Sequence, residues 1–257
     1  MKSLVIIPTY NEKGNIINLI REILEFNNET EILIIDDNSP DGTGTIADEL
    51  AARHSEIHVL HRKGKRGLGT AYVEGFKYAL TRGADYIFEM DSDFSHHPRY
   101  LPQFLETIQQ CDLVLGSRYA RTGRVINRGL GRLLLSKMAA AYVRLIMGLP
   151  VTDAAGGFKC FKKKVLCSMD LNKIRSNGYS FQIEMNYKVY KKGFTIKEIP
   201  IVFEERKAGE SKMNKKVIFE ALWIVPILQL EYLFNRFIAF CFYYPARSLK
   251  KSSDKTR

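Results

Sequence analysis

Short apolar runs alternate with amphipathic stretches from the N-terminus to residue 117. Leu4–Ile7, Ile32–Ile35, Ile57–Leu60, Tyr86–Met90 and Leu113–Leu115 read as strands. Between the first two, Ile16, Ile17, Leu19, Ile20, Ile23 and Leu24 recur at helical spacing, and residues 44–53, 71–80 and 100–109 read as further helices. Parallel neighbours need a crossover, usually a helix, so this rhythm predicts an α/β fold with a mostly parallel central sheet and helices on both faces. The 257 residues, 46% of them hydrophobic, suffice for a proper core and exclude a disordered or low-complexity chain.

The joints carry the polar chemistry. Thr9-Tyr10-Asn11-Glu12 follows the first strand, Asp36-Asp37-Asn38-Ser39-Pro40-Asp41-Gly42 the second, and Asp91-Ser92-Asp93 the fourth. All three fall at carboxyl ends of strands, the edge where open parallel sheets bind ligands. Carboxylates gathered there repel one another unless a cation or a donor-rich ligand sits among them. In an extended segment residues i and i+2 share a side, so Asp91 and Asp93 offer two hard oxygen ligands suited to Mg²⁺ or Mn²⁺, with Ser95 a weaker third.

Other patterns are decoys. Gly42-Thr43-Gly44-Thr45-Ile46-Ala47 fits a dinucleotide fingerprint but follows the second strand, and the acid expected about 20 residues on is replaced by His61-Arg62-Lys63. Gly64–Gly69 lacks the G-K-[ST] of a phosphate loop and reads as a flexible basic loop carrying Lys65 and Arg66. His54, His58 and His61 lack a matching cysteine or carboxylate and read as surface or structural residues. Cys111, Cys160, Cys167 and Cys241 form no C-x-x-C pair and are expected to be reduced. The opening apolar run is too short for a signal peptide, which places the chain's start in the cytosol.

The formal charge of +11 calls for a negative partner. Its distribution is informative. Arg118, Arg121, Arg124, Arg128, Arg132, Lys137 and Arg144 lie in an acid-free stretch that is also apolar at Leu133–Leu135 and Met138–Ala141. Basic and apolar together suggest a helix lying on a membrane surface. Residues 217–244 form a second apolar region, broken by Glu231 and Arg236 and expected to kink at Pro226. Its uncharged stretches fall short of the ~20 residues needed to span a bilayer. A buried core helix, a membrane-lying helix and a partner-docking face all remain open for it.

The ordered motifs Ile7-Pro8-Thr9-Tyr10-Asn11-Glu12, Asp36–Thr43, Met90–Pro98, Gly116-Ser117-Arg118-Tyr119, Gly156–Phe161, Gly178–Glu184 and Arg206–Met213 resemble the inverting family 2 glycosyltransferases of GT-A fold, and more narrowly the dolichol-phosphate (polyprenol-phosphate) mannose synthases. The resemblance implies transfer of mannose from GDP-mannose to a polyprenyl phosphate. It implies that Pro8, Tyr10, Glu12, Ile35 and Asp37 line the base and ribose pocket, with Met90 and Ser92 alongside. Asp91 and Asp93 would hold Mg²⁺ or Mn²⁺ on the diphosphate, and Arg118 would sit between donor and acceptor phosphates. Arg206 and Lys212 would clamp the diphosphate, Ser211 would touch substrate, and Arg132 matches a family arginine on the acceptor phosphate. Asp153 is the spare carboxylate for orienting acceptor or sugar, a purely structural role being equally open.

On this reading residues 1–215 form the catalytic domain, 216–246 an apolar segment that meets the membrane or a small membrane partner subunit, and 247–257 a basic tail. The protein is expected on the cytoplasmic side of a membrane, peripheral or monotopic. Two other readings stand beside it. One keeps the lipid acceptor but uses another donor such as UDP-glucose. The other is a non-catalytic basic module for RNA or membrane. Nucleic acid is not expected as a partner, because the acidic cluster would repel its phosphates.

Overall fold

The computed structural model describes residues 1–26, 30–126, 129–204 and 215–243. The N-terminal half is β1 (Ser3–Thr9), α1 (Ile16–Phe26), β2 (Thr30–Asp36), α2 (Thr43–Arg53), β3 (Ile57–His61), α3 (Leu68–Thr81), β4 (Tyr86–Glu89), α4 (Leu101–Thr107) and β5 (Leu113–Ser117). All five predicted strands and all four predicted helices are present. The second half adds β6 (Arg124–Ile126), α5 (Leu130–Met147), β7 (Lys159–Lys162), α6 (Lys163–Cys167), α7 (Gly178–Lys191), β8 (Ile196–Pro200), β9 (Val202–Glu204) and α8 (Lys215–Tyr243).

Seven strands form one sheet in the order β3-β2-β1-β4-β7-β5-β8, and β6 pairs with β9 in a separate two-stranded ribbon. The main sheet is parallel except at β7, which runs antiparallel to both β4 and β5. Strand order therefore reverses between β1 and β4, the switch point where open α/β sheets leave a crevice. Leu4, Val5, Ile6 and Ile7 are all fully buried, as expected of a strand covered on both faces. They divide by alternation: Leu4 and Ile6 join one core with Leu33 and Ile35, and Val5 and Ile7 join the other with Ile32 and Ile34. Each such side chain contributes roughly 1.5–3 kcal/mol of gross burial. On α3 the backbone comes so close that a Cβ on Gly75 would lie 2.6 Å from Ile6.

The stretch Gly64–Gly69, expected to be a flexible basic loop, runs into a helix. Gly67, at φ 98°, is the N-cap of α3, which begins at Leu68 rather than Ala71. The Arg62 side chain folds inward, 2% exposed, against Asp37. The three histidines bind carboxylates locally: His54 faces Glu56, His58 faces Glu31, and His61 lies 2.8 Å from Asp48.

The second half departs most from the sequence reading. α8 runs through Pro226 as one helix of 29 residues, Lys215–Tyr243. Val225 and Leu228 pack into the core, and Tyr187 on α7 donates to Gln229. The opposite side of α8 exposes Trp223, Ile227, Leu230, Phe234 and Phe237, and α5 exposes Leu130, Leu134, Met138 and Leu145. No helix among the described residues is long and apolar enough to cross a membrane. The expected boundary at 215/216 falls at the first turn of α8, and the basic tail at 247–257 lies outside the described residues.

Candidate active site

The carboxyl ends of β1, β2 and β4 meet at the switch point. Among the described residues, the non-glycine positions with positive φ are Asn11 (60°), Asn38 (60°) and Phe94 (61°). One follows each of these three strands. Asparagine enters the left-handed region readily, whereas phenylalanine there costs on the order of 1–3 kcal/mol. The chain thus holds strained turns at the one edge where the acidic motifs lie.

The first two turns are stitched together. Asp36 accepts hydrogen bonds from the Ser39 amide at 3.1 Å and hydroxyl at 2.5 Å. Ser39 Oγ in turn accepts the Asn11 amide at 3.1 Å. Asp41 accepts the Lys13 amide at 3.1 Å, and Thr43 Oγ1 accepts that of Glu12 at 2.9 Å. Gly44 of the apparent dinucleotide pattern serves this knot, since a Cβ there would lie 2.8 Å from Asp36 Oδ2. Asp36 and Asp41 are therefore engaged in holding the turns, and Asp37, whose amide donates to the Thr9 carbonyl at 3.1 Å, pairs with Arg62 instead. Burial pushes the Asp37 carboxyl up, and Arg62, donating at 2.7 Å, opposes that shift. The Lys65 ammonium lies 4.2 Å from the centre of the Tyr10 ring. Pro8, Glu12, Ile35, Met90 and Ser92 lie on or beside the same strand ends.

Asp91-Ser92-Asp93 occupies a bend rather than a straight extension of β4. Asp91 Oδ1 accepts the Tyr72 hydroxyl at 3.4 Å, and Asp93 Oδ1 accepts the Ser95 amide at 3.1 Å. The Asp91 amide donates to His96 Nδ1 at 2.9 Å, so that nitrogen carries no proton and the ring proton sits on Nε2. Burial lowers the His96 pKa against the opposing pull of Asp91 and Asp93, which keeps the ring neutral. His96 stacks on Phe158 at 5.1 Å.

Behind this bend lies a buried pair that sequence reading missed. Lys159 Nζ is 3.4 Å from Glu89 Oε2, and both side chains are fully buried. Burial pushes Glu89 up and Lys159 down, each shift opposed by the partner. As an ion pair the two charges offset each other within the sheet. Ser95 Oγ is buried without a hydrogen-bond partner beside Asp93. Two carboxylates and a spare hydroxyl fit a divalent cation that also takes ligand phosphates. A self-sufficient cage of three or more His, Cys, Asp or Glu is absent among the described residues.

Arg118, after β5, is locked to Asp153. Nε and Nη2 each donate to the carboxylate at 2.7 Å, and the Arg118 amide adds a third bond at 3.0 Å. Burial alone would raise the Asp153 pKa, but the guanidinium and these hydrogen bonds hold it below the ordinary aspartate value. Glu198 on β8 accepts the amides of Thr152 and Asp153 at 2.8 and 3.0 Å and so fixes the carboxylate's backbone. Arg118 is thus held through Nε and Nη2 by a single carboxylate. It opens on a cavity of about 300 Å³ that also has Arg121, Lys137, Val125 and Leu133 in its walls. Cations beside aliphatic groups suit an anion carrying a hydrocarbon chain.

Two groups of predicted residues separate here. Pro8, Tyr10, Glu12, Ile35, Asp37, Met90, Asp91, Ser92 and Asp93 gather at the switch point, while Arg118 and Asp153 stand beyond β7 on the far side of β4. Arg206, Ser211 and Lys212 lie outside the described residues, and Arg132 lies on α5 with its side chain outside them. Arg62, Lys159 and Glu198 went unread because each works through a partner at least 25 residues away.

Comparison with known proteins fits this geometry. The family model "Glycosyl transferase family 2" matches residues 4–168. Undecaprenyl-phosphate mannosyltransferase of Micrococcus luteus is 42% identical over 222 residues, covering 86% of this chain and 91% of that protein. Polyprenol monophosphomannose synthase of Mycolicibacterium smegmatis is 42% identical over 226 residues, covering 87% and 85%. Among solved structures, glucosyl-3-phosphoglycerate synthase from Mycobacterium tuberculosis, in complex with Mn²⁺, UDP and glucosyl-3-phosphoglycerate, superposes with TM-score 0.62 at 20% identity over 87% of this chain and 77% of that one. Mannosyl-3-phosphoglycerate synthase from Rubrobacter xylanophilus gives 0.63 at 17% identity over 91% and 74%. The fold is GT-A.

Proposed function

This chain belongs to glycosyl transferase family 2, and from that premise we propose that it transfers mannose from GDP-mannose to a polyprenyl phosphate with inversion at the anomeric carbon. The observation that carries the reading is the pairing of two unlike sites on one sheet edge: carboxylates at the switch point, and a cationic cavity with aliphatic walls at Arg118.

In the donor site, Tyr10 and Asp37 take the base and ribose, framed by Pro8, Glu12, Ile35, Met90 and Ser92. Arg206 and Lys212 clamp the diphosphate, and Ser211 contacts substrate. A Mg²⁺ or Mn²⁺ held by Asp91 and Asp93 would supply positive charge to the leaving diphosphate. The acceptor is a phosphate monoester whose second pKa is ~6, so it arrives largely as the dianion and needs no strong general base. Arg118 holds it in line, with Arg132 as a second cation. An acceptor oxygen forms the bond to the anomeric carbon as the bond from that carbon to the diphosphate breaks, and the electron pair leaves with the diphosphate. Asp153 acts by fixing Arg118.

The acceptor's hydrocarbon would stay in a bilayer. The exposed apolar sides of α5 and α8 support a peripheral seat on a membrane; the reading sets it on the cytoplasmic face, where a small membrane subunit would also dock. Residues 1–215 would then be the catalytic unit and 216–246 the membrane-facing segment.

The test supplies purified protein with Mn²⁺ or Mg²⁺, a polyprenyl phosphate and radiolabelled GDP-mannose or UDP-glucose in parallel. Organic-extractable label from GDP-mannose alone, lost in Asp91→Ala and on chelation, is the expected result. Label from UDP-glucose instead would overturn the donor. No lipid product from either would overturn the reaction.

A further inference from the structure

Between the two sites stands an aromatic residue that neither uses directly. Phe203 lies on β9, which pairs with β6. The entry to β9 is fixed on three sides. Ile201 donates its amide to the Ser117 carbonyl at 3.1 Å, and the Arg124 amide donates to the Ile201 carbonyl at 3.0 Å. The Val202 amide donates to the Tyr100 hydroxyl at 2.8 Å. The backbone leading into Phe203 is therefore held in place. Arg118 Cζ lies 5.3 Å from its centroid. The His96 ring meets it edge-on, 6.2 Å away and inclined at 64°. His96 in turn holds the Asp91 amide. A continuous series of contacts thus runs from the arginine of the cationic cavity, through Phe203 and His96, to the first aspartate of the acidic bend.

We propose that Phe203 is a positioning residue that sets the separation between the Arg118 guanidinium and the Asp91 carboxylate. The inference rests on the two-site transfer reading above. Asp153 grips one edge of the guanidinium, and two rings, Tyr119 beside it in the chain and Phe203 from β9, each lie 5.3 Å from its Cζ; of the two only Phe203 also meets His96, and an aromatic face restrains the tilt that a carboxylate alone permits. The same ring backs His96, whose Nδ1 is the fixed point for the Asp91 backbone. In-line displacement needs attacking and leaving oxygens at a set spacing, and a misplacement of about 1 Å can cost ~10²-fold in rate. Phe203 is suited to hold that spacing without touching either substrate.

The test compares the full-length wild type with Phe203→Leu and Phe203→Tyr. Leucine keeps bulk and apolarity but has no ring; tyrosine keeps the ring. Three quantities are read: melting temperature, the Kd of GDP with Mn²⁺ by titration calorimetry, and the rate of a single turnover at saturating polyprenyl phosphate. Phe203→Leu is expected to melt near wild type, to bind Mn²⁺ and GDP within about twofold, and to transfer roughly tenfold more slowly or worse, the scale of a sub-ångström misplacement. Phe203→Tyr is expected within about threefold of wild type. Wild-type turnover in Phe203→Leu, equal slowing in both variants, or slowing matched by lost nucleotide binding and lowered melting would each overturn the proposal. A wild-type protein that forms no mannosyl lipid would instead overturn the functional reading, before any variant is consulted.

Discussion

At the scale of single residues, the Arg118–Asp153 pair shows how burial sharpens a contact. Exposed ion pairs contribute little, but removing one partner of a buried pair costs about 3–5 kcal/mol because the other charge stays behind. Asp153→Asn is therefore expected to lower stability by that order at neutral pH, read as a shift in the urea midpoint. The pH dependence follows from the depressed Asp153 pKa. A carboxylate whose folded value lies below its unfolded one stabilises fully above the unfolded value of ~4, and that stabilisation is lost as pH falls through the lower folded value. The gap between wild type and Asp153→Asn should hold constant from pH ~7 to ~5 and close below ~4. The acids of the bend could be named in the sequence because they directly follow a buried apolar strand, although the extended i, i+2 geometry expected for them is replaced by a bend. Asp153 could be named but not assigned, because its partner is 35 residues away and only the fold brings them together.

Whole elements carry the membrane question. Trp223 is the single tryptophan in the chain and is 70% exposed on the outer side of α8. Its emission reports on that surface alone. Adding vesicles rich in anionic lipid should shift it to the blue. On α5, Leu134→Glu with Met138→Glu, at positions 62% and 61% exposed, should weaken cosedimentation with those vesicles while leaving melting nearly unchanged. Undiminished sedimentation would exclude α5 from the contact. Mixed basic and apolar composition was readable here as a hint. What sequence could not divide was α8: it is apolar nearly all round, and its packing against α7 and α5, with Val225 and Leu228 in the core, separates core from exposed face.

Taken as a whole, the molecule places one ligand-binding edge between two cores. The strand–helix rhythm made the first half of this plan legible down to the switch point. The second half was opaque for a physical reason: β7 is four residues long with a lysine at each end, so no hydrophobic period marks it as a central strand. Ligand linkage tests the site at this scale. Two aspartates make a weak cation site until a diphosphate joins, so Mn²⁺ alone should raise the melting temperature little. Mn²⁺ with GDP at 100 times its Kd should add about 2.7 kcal/mol. An equal rise with Mn²⁺ alone would point to a cation site complete without nucleotide.

The Glu89–Lys159 pair bears on how such a chain can change over time. Losing either partner strands a charge in the sheet's interior, whereas exchanging both for apolar residues of similar volume can be nearly neutral. The two positions are therefore bound into one heritable unit. Each single step leads down a steep slope, and the double step crosses to level ground. Lineages that have made the crossing should carry both replacements, and intermediate sequences should be scarce.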